Sequence, residues 1–210
     1  MKKSQLLTAV AVLVLAATLF ACSSNPDCIA SASTRLGASS EEGWTGAVPD
    51  APLIVTPSPE GGAAKIASAI ATKLGAGIIS PLQLKPQDLA DVPLIGFGSG
   101  IMDQMHHVAL LDFAESLPHL PGRKVFIFSV SGVSLEFAIR NNTGDPHKAL
   151  RERLVAKGCE IVGEFNCVGF NDNSFLAFFG GMNKGRPSQA DLEKAEDFAA
   201  SLETQAGLKV

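Results

Sequence analysis

Pro52-Leu53-Ile54-Val55-Thr56 is a short apolar run with β-branched residues at its centre, and together with the helical stripe after it this run decides the fold. Beyond a turn of small residues, apolar side chains recur at Ala63, Ile66, Ala67, Ile70 and Leu74. That is the period of one buried helix face. Gly75 stops the helix, and Gly77-Ile78-Ile79-Ser80 reads as a second strand. Outward along the chain the alternation repeats. Residues 92–98 predict a third strand, and Leu110, Phe113, Ala114 and Leu117 a helix ended by Pro118 and Pro121. Residues 124–130 predict a fourth strand, followed by a helix over about 147–157. Residues 160–168 are less continuously apolar, as an edge strand is. Leu192, Ala195, Ala199 and Leu202 close the chain as a helix. Apolar strands separated by helices imply a parallel sheet covered on both faces, hence a doubly wound α/β domain over residues 52–205.

The 210 residues carry 17 basic and 21 acidic side chains, a net charge of −4, so no positive field builds up for nucleic acid. At 46% hydrophobic residues the chain has ample material for a core. Lys2-Lys3 followed by the apolar residues 6–21 has the form of a secretory signal, too short for a bilayer span of about 20 residues. It ends in Leu19-Phe20-Ala21-Cys22, which resembles the lipobox of bacterial lipoproteins. The resemblance implies residues 1–21 as a signal peptide, lipid attachment at Cys22, and a cell-envelope location tethered to the membrane. An uncleaved signal anchor is the alternative. Residues 22–51, rich in Ser, Ala and Gly, read as a flexible tether with Trp44 as a docking contact. Cys28 falls in that tether, and Cys159 and Cys167 sit at opposite ends of one expected strand, too far apart for a disulfide. Both read as buried thiols, and no Cys/His spacing suggests a metal.

In a doubly wound sheet, ligands bind at the carboxyl ends of the strands where the strand order reverses. Three loops therefore matter: 57–63, 99–105 and 131–146. The first holds Ser58, Pro59, Glu60, Gly61, Gly62 and Ala63, a small-residue turn before a helix N-terminus, the form of a phosphate cradle or of a tight turn capped by Ser58. The second, with Gly98, Ser99, Gly100, Ile101 and Met102, offers close backbone approach and an apolar face to a flat ring. His106 comes next, on the expected buried stripe, and reads as a packed, hydrogen-bonded histidine. The third, Ser131, Gly132, Val133 and Ser134, supplies hydroxyls, and Asp145 is the expected N-cap of the next helix. Lys148, Arg151, Arg153 and Lys157 on that helix read as a solvated face. Residues 170–187, with Phe175, Leu176, Phe178, Phe179 and Gly180-Gly181, make a connection long enough for a lid, a partner surface or a cover on the sheet edge. No Ser/His/Asp or Cys/His set sits at one strand-end edge with hydrolase spacing.

Gly96-Phe97-Gly98-Ser99-Gly100-Ile101, Phe128-Ser129-Val130-Ser131-Gly132, Gly163-Glu164-Phe165-Asn166-Cys167 and Gly180-Gly181-Met182-Asn183, in this order, resemble the flavodoxin-like family. The resemblance implies a five-stranded parallel sheet in order 2-1-3-4-5 and flavin mononucleotide (FMN) as cofactor. It places the phosphate at residues 58–63 and the isoalloxazine ring between 98–102 and 131–134. Four positions depart from the family pattern: Glu60 and Ala63 stand where hydroxyl residues are usual, Pro59 enters the cradle, and Met102 stands where an aromatic residue often stacks on the flavin. Pro59 lacks a backbone donor, and Glu60 brings a negative charge towards the phosphate. The implied function is electron transfer, or reduction of a small acceptor such as a quinone, with an unidentified redox partner and with no residue cast as a catalytic acid or base. The alternative is a binding or scaffold protein that keeps the fold without FMN.

Overall fold

The computed structural model describes residues 51–171 and 180–208. The leader, Cys22, Cys28, Trp44 and the phenylalanines at 175, 178 and 179 lie outside the described residues. β1 (Leu53–Val55) leads into α1 (Gly61–Leu74), β2 (Gly77–Ile79), a 3₁₀ turn (Pro86–Leu89) and β3 (Ile95–Met102). The chain continues through β4 (Met105–His106), α2 (Val108–Ser116), β5 (Lys124–Ser131), α3 (Leu135–Arg140), α4 (Lys148–Ala156), β6 (Glu160–Val168) and α5 (Gln189–Ala206). The parallel strands stand in the order β2-β1-β3-β5-β6, with β4 paired antiparallel to the end of β3. Without that hairpin arm, the order is the 2-1-3-4-5 expected from the sequence. Among the described residues the sheet has six strands where five were expected.

The two faces of the sheet are packed by different helices. Ile95, Phe97, Val125 and Ile127 meet Leu110, Phe113 and Ala114 of α2 and Leu150 and Leu154 of α4. Ile54, Leu94, Phe126 and Phe128 meet Ala63, Ile66, Ala67 and Ile70 of α1 and Ala195, Ala199 and Leu202 of α5. The helical stripes expected from periodicity are thus the buried ones. Leu192 alone among them is only partly covered.

Side-chain alternation on β3 explains its composition. Phe97 points to one face, while Gly96 and Gly98 present bare backbone to the other. A Cβ on Gly96 would lie 2.3 Å from the ring of Phe126, and one on Gly98 would lie 2.3 Å from the ring of Phe128. The neighbouring strand's phenylalanines fill the space that the glycines leave, and the three aromatic side chains are fully buried. Gly98, Ser99 and Gly100 are therefore strand residues and not a loop: β3 runs on to Met102, four residues past its expected end.

Three further expectations are corrected. His106 lies in β4 and not on a helix; Asp103 and Gln104, with φ of 48° and 63°, form the tight turn between β3 and β4. Neither is glycine, so the turn carries little sequence signal. The third loop contains the short helix α3, with Ser134 as its N-cap accepting from Phe137 N–H. Asp145 is not the N-cap of α4. That place belongs to His147, and the Asp145 carboxylate accepts from His147 N–H at 2.9 Å. Cys159 and Cys167 are free and buried at the two ends of β6, with burial pushing the Cys167 thiol up to about 11. Among the described residues no helix is long and apolar enough to cross a membrane.

Gly98→Ala should cost about 1–3 kcal/mol, because the Phe128 ring has no room to yield. Gly100→Ala, whose nearest foreign atom would be 4.0 Å away, should stay within about 0.5 kcal/mol of the parent. Urea unfolding of the two variants checks the pair, and equal losses would refute the interlocking.

Candidate functional site

The apolar core gives way to polar groups towards the carboxyl ends of the strands, and a cleft of about 580 Å³ opens there. At its first edge the chain leaves β1 at buried Thr56, whose hydroxyl accepts from Ser58 N–H at 3.3 Å. Glu60 is the extended N-cap of α1, and its side chain makes no capping bond. Among the described residues no side chain caps the first-turn N–H groups, and the expected cap by Ser58 does not form. Gly61 has φ of +82°, which favours glycine, with open space where a Cβ would be. Gly62 is hemmed in: its Cβ would stand 3.1 Å from both Pro187 Cδ and Val130 Cγ1.

The cleft brings together most of the residues singled out from the sequence. Ser58, Glu60, Gly61, Gly62 and Ala63 line it from the first loop, Gly100, Ile101 and Met102 from β3, and Ser131 and Gly132 from the end of β5. It leaves out Gly98 and Ser99, which are buried within β3, and Val133 and Ser134, which lead into α3. The third side comes largely from the 170–187 connection, which the sequence offered as a lid, a partner surface or an edge cover but did not place among the site residues. Gly169, Phe170 and Asn171 follow β6, and Arg186 and Pro187 precede α5. Backbone bonds join these segments: Phe170 N–H donates to Arg186 O at 3.1 Å, and Asn171 and Met182 exchange a pair at 3.0 and 2.7 Å. The Asn183 amide clamps Gly132 O at 2.9 Å and Gly169 O at 3.2 Å. The lining carries Glu60 against two cations, Lys65 and Arg186. Arg186 is in turn held by the buried carboxylate of Asp191 at 2.9 Å, within the capping box of α5.

Behind the third loop lies a buried polar chain. Ser129 Oγ stands 2.7 Å from His147 Nε2, and His147 Nδ1 stands 2.8 Å from Glu164 Oε2. Arg151 grips both oxygens of Glu164 and reaches Asp145 at 2.8 Å, so this half-buried side chain is an anchor held by two carboxylates and not simply part of a solvated face. A serine, a histidine and a carboxylate thus meet in relay geometry, against the expectation that no such set exists. Ser129 and His147 are both 0% exposed, however, and Ser129 is absent from the cleft lining. No substrate reaches that hydroxyl. On β3, Ser99 Oγ lies 3.0 Å from His106 Nδ1 and accepts from His107 N–H, and the His106 ring packs against His147 with centroids 5.2 Å apart. His106 Nε2 is buried with no hydrogen-bond partner. Among the described residues no group of three or more His, Cys, Asp or Glu side chains is disposed to hold a metal ion.

No family model matches the chain. It is 38% identical over 138 residues to the uncharacterized protein MJ0298 of Methanocaldococcus jannaschii, a match covering 66% of this chain and 87% of that one. The chain belongs to the MJ0298 family. Solved structures show which fold the chain shares. A flavodoxin from the domain Archaea superposes with a TM-score of 0.53 at 15% identity, covering 74% of this chain and 98% of that one. A Streptococcus pneumoniae flavodoxin gives 0.53 at 18%, covering 73% and 98%. Rubredoxin oxygen:oxidoreductase from Desulfovibrio gigas gives 0.53 at 14%, covering 76% of this chain and 36% of that one. At these identities the likeness is one of fold. This MJ0298-family chain has the flavodoxin-like fold, as the sequence motifs implied.

The buried chain titrates in a defined sense. Burial, then the neighbouring His147, hold His106 down to about 3 against an ordinary 6.5, outweighing the opposite pull of Glu164 and Asp145. Burial alone would raise Glu164, but hydrogen bonds from Arg151 and His147 and their charges bring it to about 2 from 4.5. The His106 contribution is complete above pH 6.5 and falls away towards 3, because the unfolded chain takes up a proton that the folded one refuses. The Glu164 contribution is complete above 4.5 and is lost towards 2. Between pH 7 and 5 protonation of the unfolded chain at His106 should remove about 2 kcal/mol. Melting temperatures across that range should fall less in His106→Gln than in the parent. Parallel curves would exclude the assignment.

Proposed function

We propose that this chain is an FMN-binding redox protein, exported and tethered to the membrane through a lipid on Cys22. The observation that carries the reading is the cleft itself, at the switch point of a doubly wound sheet and beside a helix N-terminus whose N-cap side chain makes no capping bond. Its volume is within the roughly 300–1,000 Å³ of small-molecule sites. The residues present suit the cofactor's two ends. Backbone N–H groups at Gly61, Gly62 and Ala63, with Lys65 and Arg186 nearby, suit a phosphate. Ile101, Met102, Gly132 and Phe170 would hold the ring, and Phe170 supplies an aromatic group that the second loop lacks. Bound there, the flavin would supply the electron or hydride chemistry. The chain's own part is binding, orientation and shielding from water by Val130, Ile101 and Met102. The electron partner, a protein or a small acceptor, would approach over Met102 and Phe170, which are 67% and 47% exposed.

Glu60 and Pro59 favour a second reading, a flavodoxin fold kept as a binding or scaffold surface. Glu60 lines the cleft, and a like charge about 6 Å from a phosphate costs on the order of 3 kcal/mol at an effective dielectric near 20, before Lys65 and Arg186 offset it.

Titration of residues 46–210 with FMN, followed by fluorescence quenching, separates the two. Saturation near or below about 1 μM supports the redox reading, and none by about 100 μM in folded protein supports the scaffold. Glu60→Thr should tighten FMN about tenfold; an unchanged affinity would place Glu60 outside the phosphate site. Cys22→Ser should release the full chain from membranes, and retention would assign residues 1–21 to an uncleaved anchor.

A further inference from the structure

Asn166 sits on β6 beside Ser129, its register partner on β5, and three polar neighbours converge on its amide. Leu135 N–H points at one end of that amide at 2.8 Å, which identifies the atom there as the oxygen. The nitrogen therefore faces the two serines, donating to Ser129 Oγ and to Ser131 Oγ at 2.9 Å each. Both serines are thereby tied to the amide. Ser129 Oγ accepts from Asn166 and lies 2.7 Å from His147 Nε2, and the same ring meets Glu164 Oε2 through Nδ1 at 2.8 Å. Arg151 anchors Glu164 from the outer side. Ser131 Oγ accepts from Asn166 and donates to Val133 O, closing the turn that leaves β5.

That turn is a wall of the cleft, since Ser131 and Gly132 line it, yet the buried chain never enters the cleft. Asn166 is the link between them. It fastens both ends of the turn, Ser131 and Leu135, to a chain whose inner members have no contact with water. We infer that Asn166 is a positioning residue for the cleft, holding the 131–134 turn in its binding conformation before any ligand arrives. A wall set in advance spares the ligand the ordering cost of a mobile loop. Rigidity of the free turn does not depend on the identity of the ligand. Only the affinity readout rests on the FMN reading.

Two variants test the inference. Asn166→Asp keeps the shape and the acceptor for Leu135 but removes both donors to the serines. Ser131→Ala removes a single arm without burying a charge, and covers the case in which the first variant fails to fold. Backbone order parameters at Gly132, Val133 and Ser134, measured on ligand-free protein, should fall from about 0.85 to below about 0.6, while those of 126–128 in β5 stay unchanged. FMN should then bind about tenfold more weakly to the same variants. Unchanged order parameters at 132–134, or an equal fall at 126–128, would overturn the proposal. So would a loosened turn with undiminished FMN affinity. If the parent itself binds no FMN, the cofactor reading fails, and the order parameters alone decide whether Asn166 holds the turn.

Discussion

The packing of Phe126 and Phe128 of β5 over the bare backbone of Gly96 and Gly98 of β3 is the constraint on which the rest depends. Two neighbouring strands share one layer of side-chain volume. One supplies the rings and the other supplies the absence of a Cβ, and this pins the register of the two central strands. With that register set, Ser99 and Ser129 pair side by side on the opposite face, and Gly100 pairs with Val130 at the mouth of the cleft. The position of the site is thus a consequence of how the core is filled. The same packing draws β3 out to eight residues and carries Ile101 and Met102 to the cleft as the arm of a hairpin instead of a loose loop.

The sheet changes character along its length. Near the amino ends the face under α2 and α4 is apolar; near the carboxyl ends the polar groups Ser99, His106, Ser129, His147 and Asn166 gather. Burying so many polar groups is tolerable only if they satisfy one another. They do so through a chain of hydrogen bonds that ends on the Arg151–Glu164 ion pair, where solvent is partly available. The exception is His106 Nε2, which stays neutral without a partner. The arrangement trades stability in acid for a wall of fixed shape at the cleft, and it joins α4 to the sheet by polar contacts at one end and by Leu150 and Leu154 at the other.

Much of this was legible in the sequence. The stripes on α1, α2 and α5 and the apolar runs of β1, β3 and β5 carry periodicity strong enough to place the elements. The resemblance supplied the strand order. The first loop and the end of β5 were identified as walls of the site because doubly wound sheets bind ligands there. The third wall was legible only as a connection of unusual length, with nothing to place it at the cleft. Phe170, Arg186 and Pro187 belong to one long connection whose two ends meet through backbone bonds, and such bonds leave no mark on side-chain pattern. The β3–β4 turn escaped for a related reason, since Asp103 and Gln104 adopt positive φ without a glycine to announce it. Arg151 looked like one of four solvated cations because a helix's charge pattern does not reveal which residue faces a carboxylate on a neighbouring strand.

By itself, then, the sequence determined the layering, through hydrophobic periodicity, and the end of the sheet at which the cleft opens, through strand polarity. Both are local or topological properties that every segment carries within its own residues. Only the tertiary structure decided which polar residues meet. Ser129, His147 and Glu164 lie 18 and 17 positions apart along the chain. They touch because strand register and the docking of α4 fix three separate segments at once. The same holds for Asn166, whose role depends on facing two serines across a strand pair and an amide beyond the turn. No spacing rule encodes such a contact, because it is made by the packing of the whole domain.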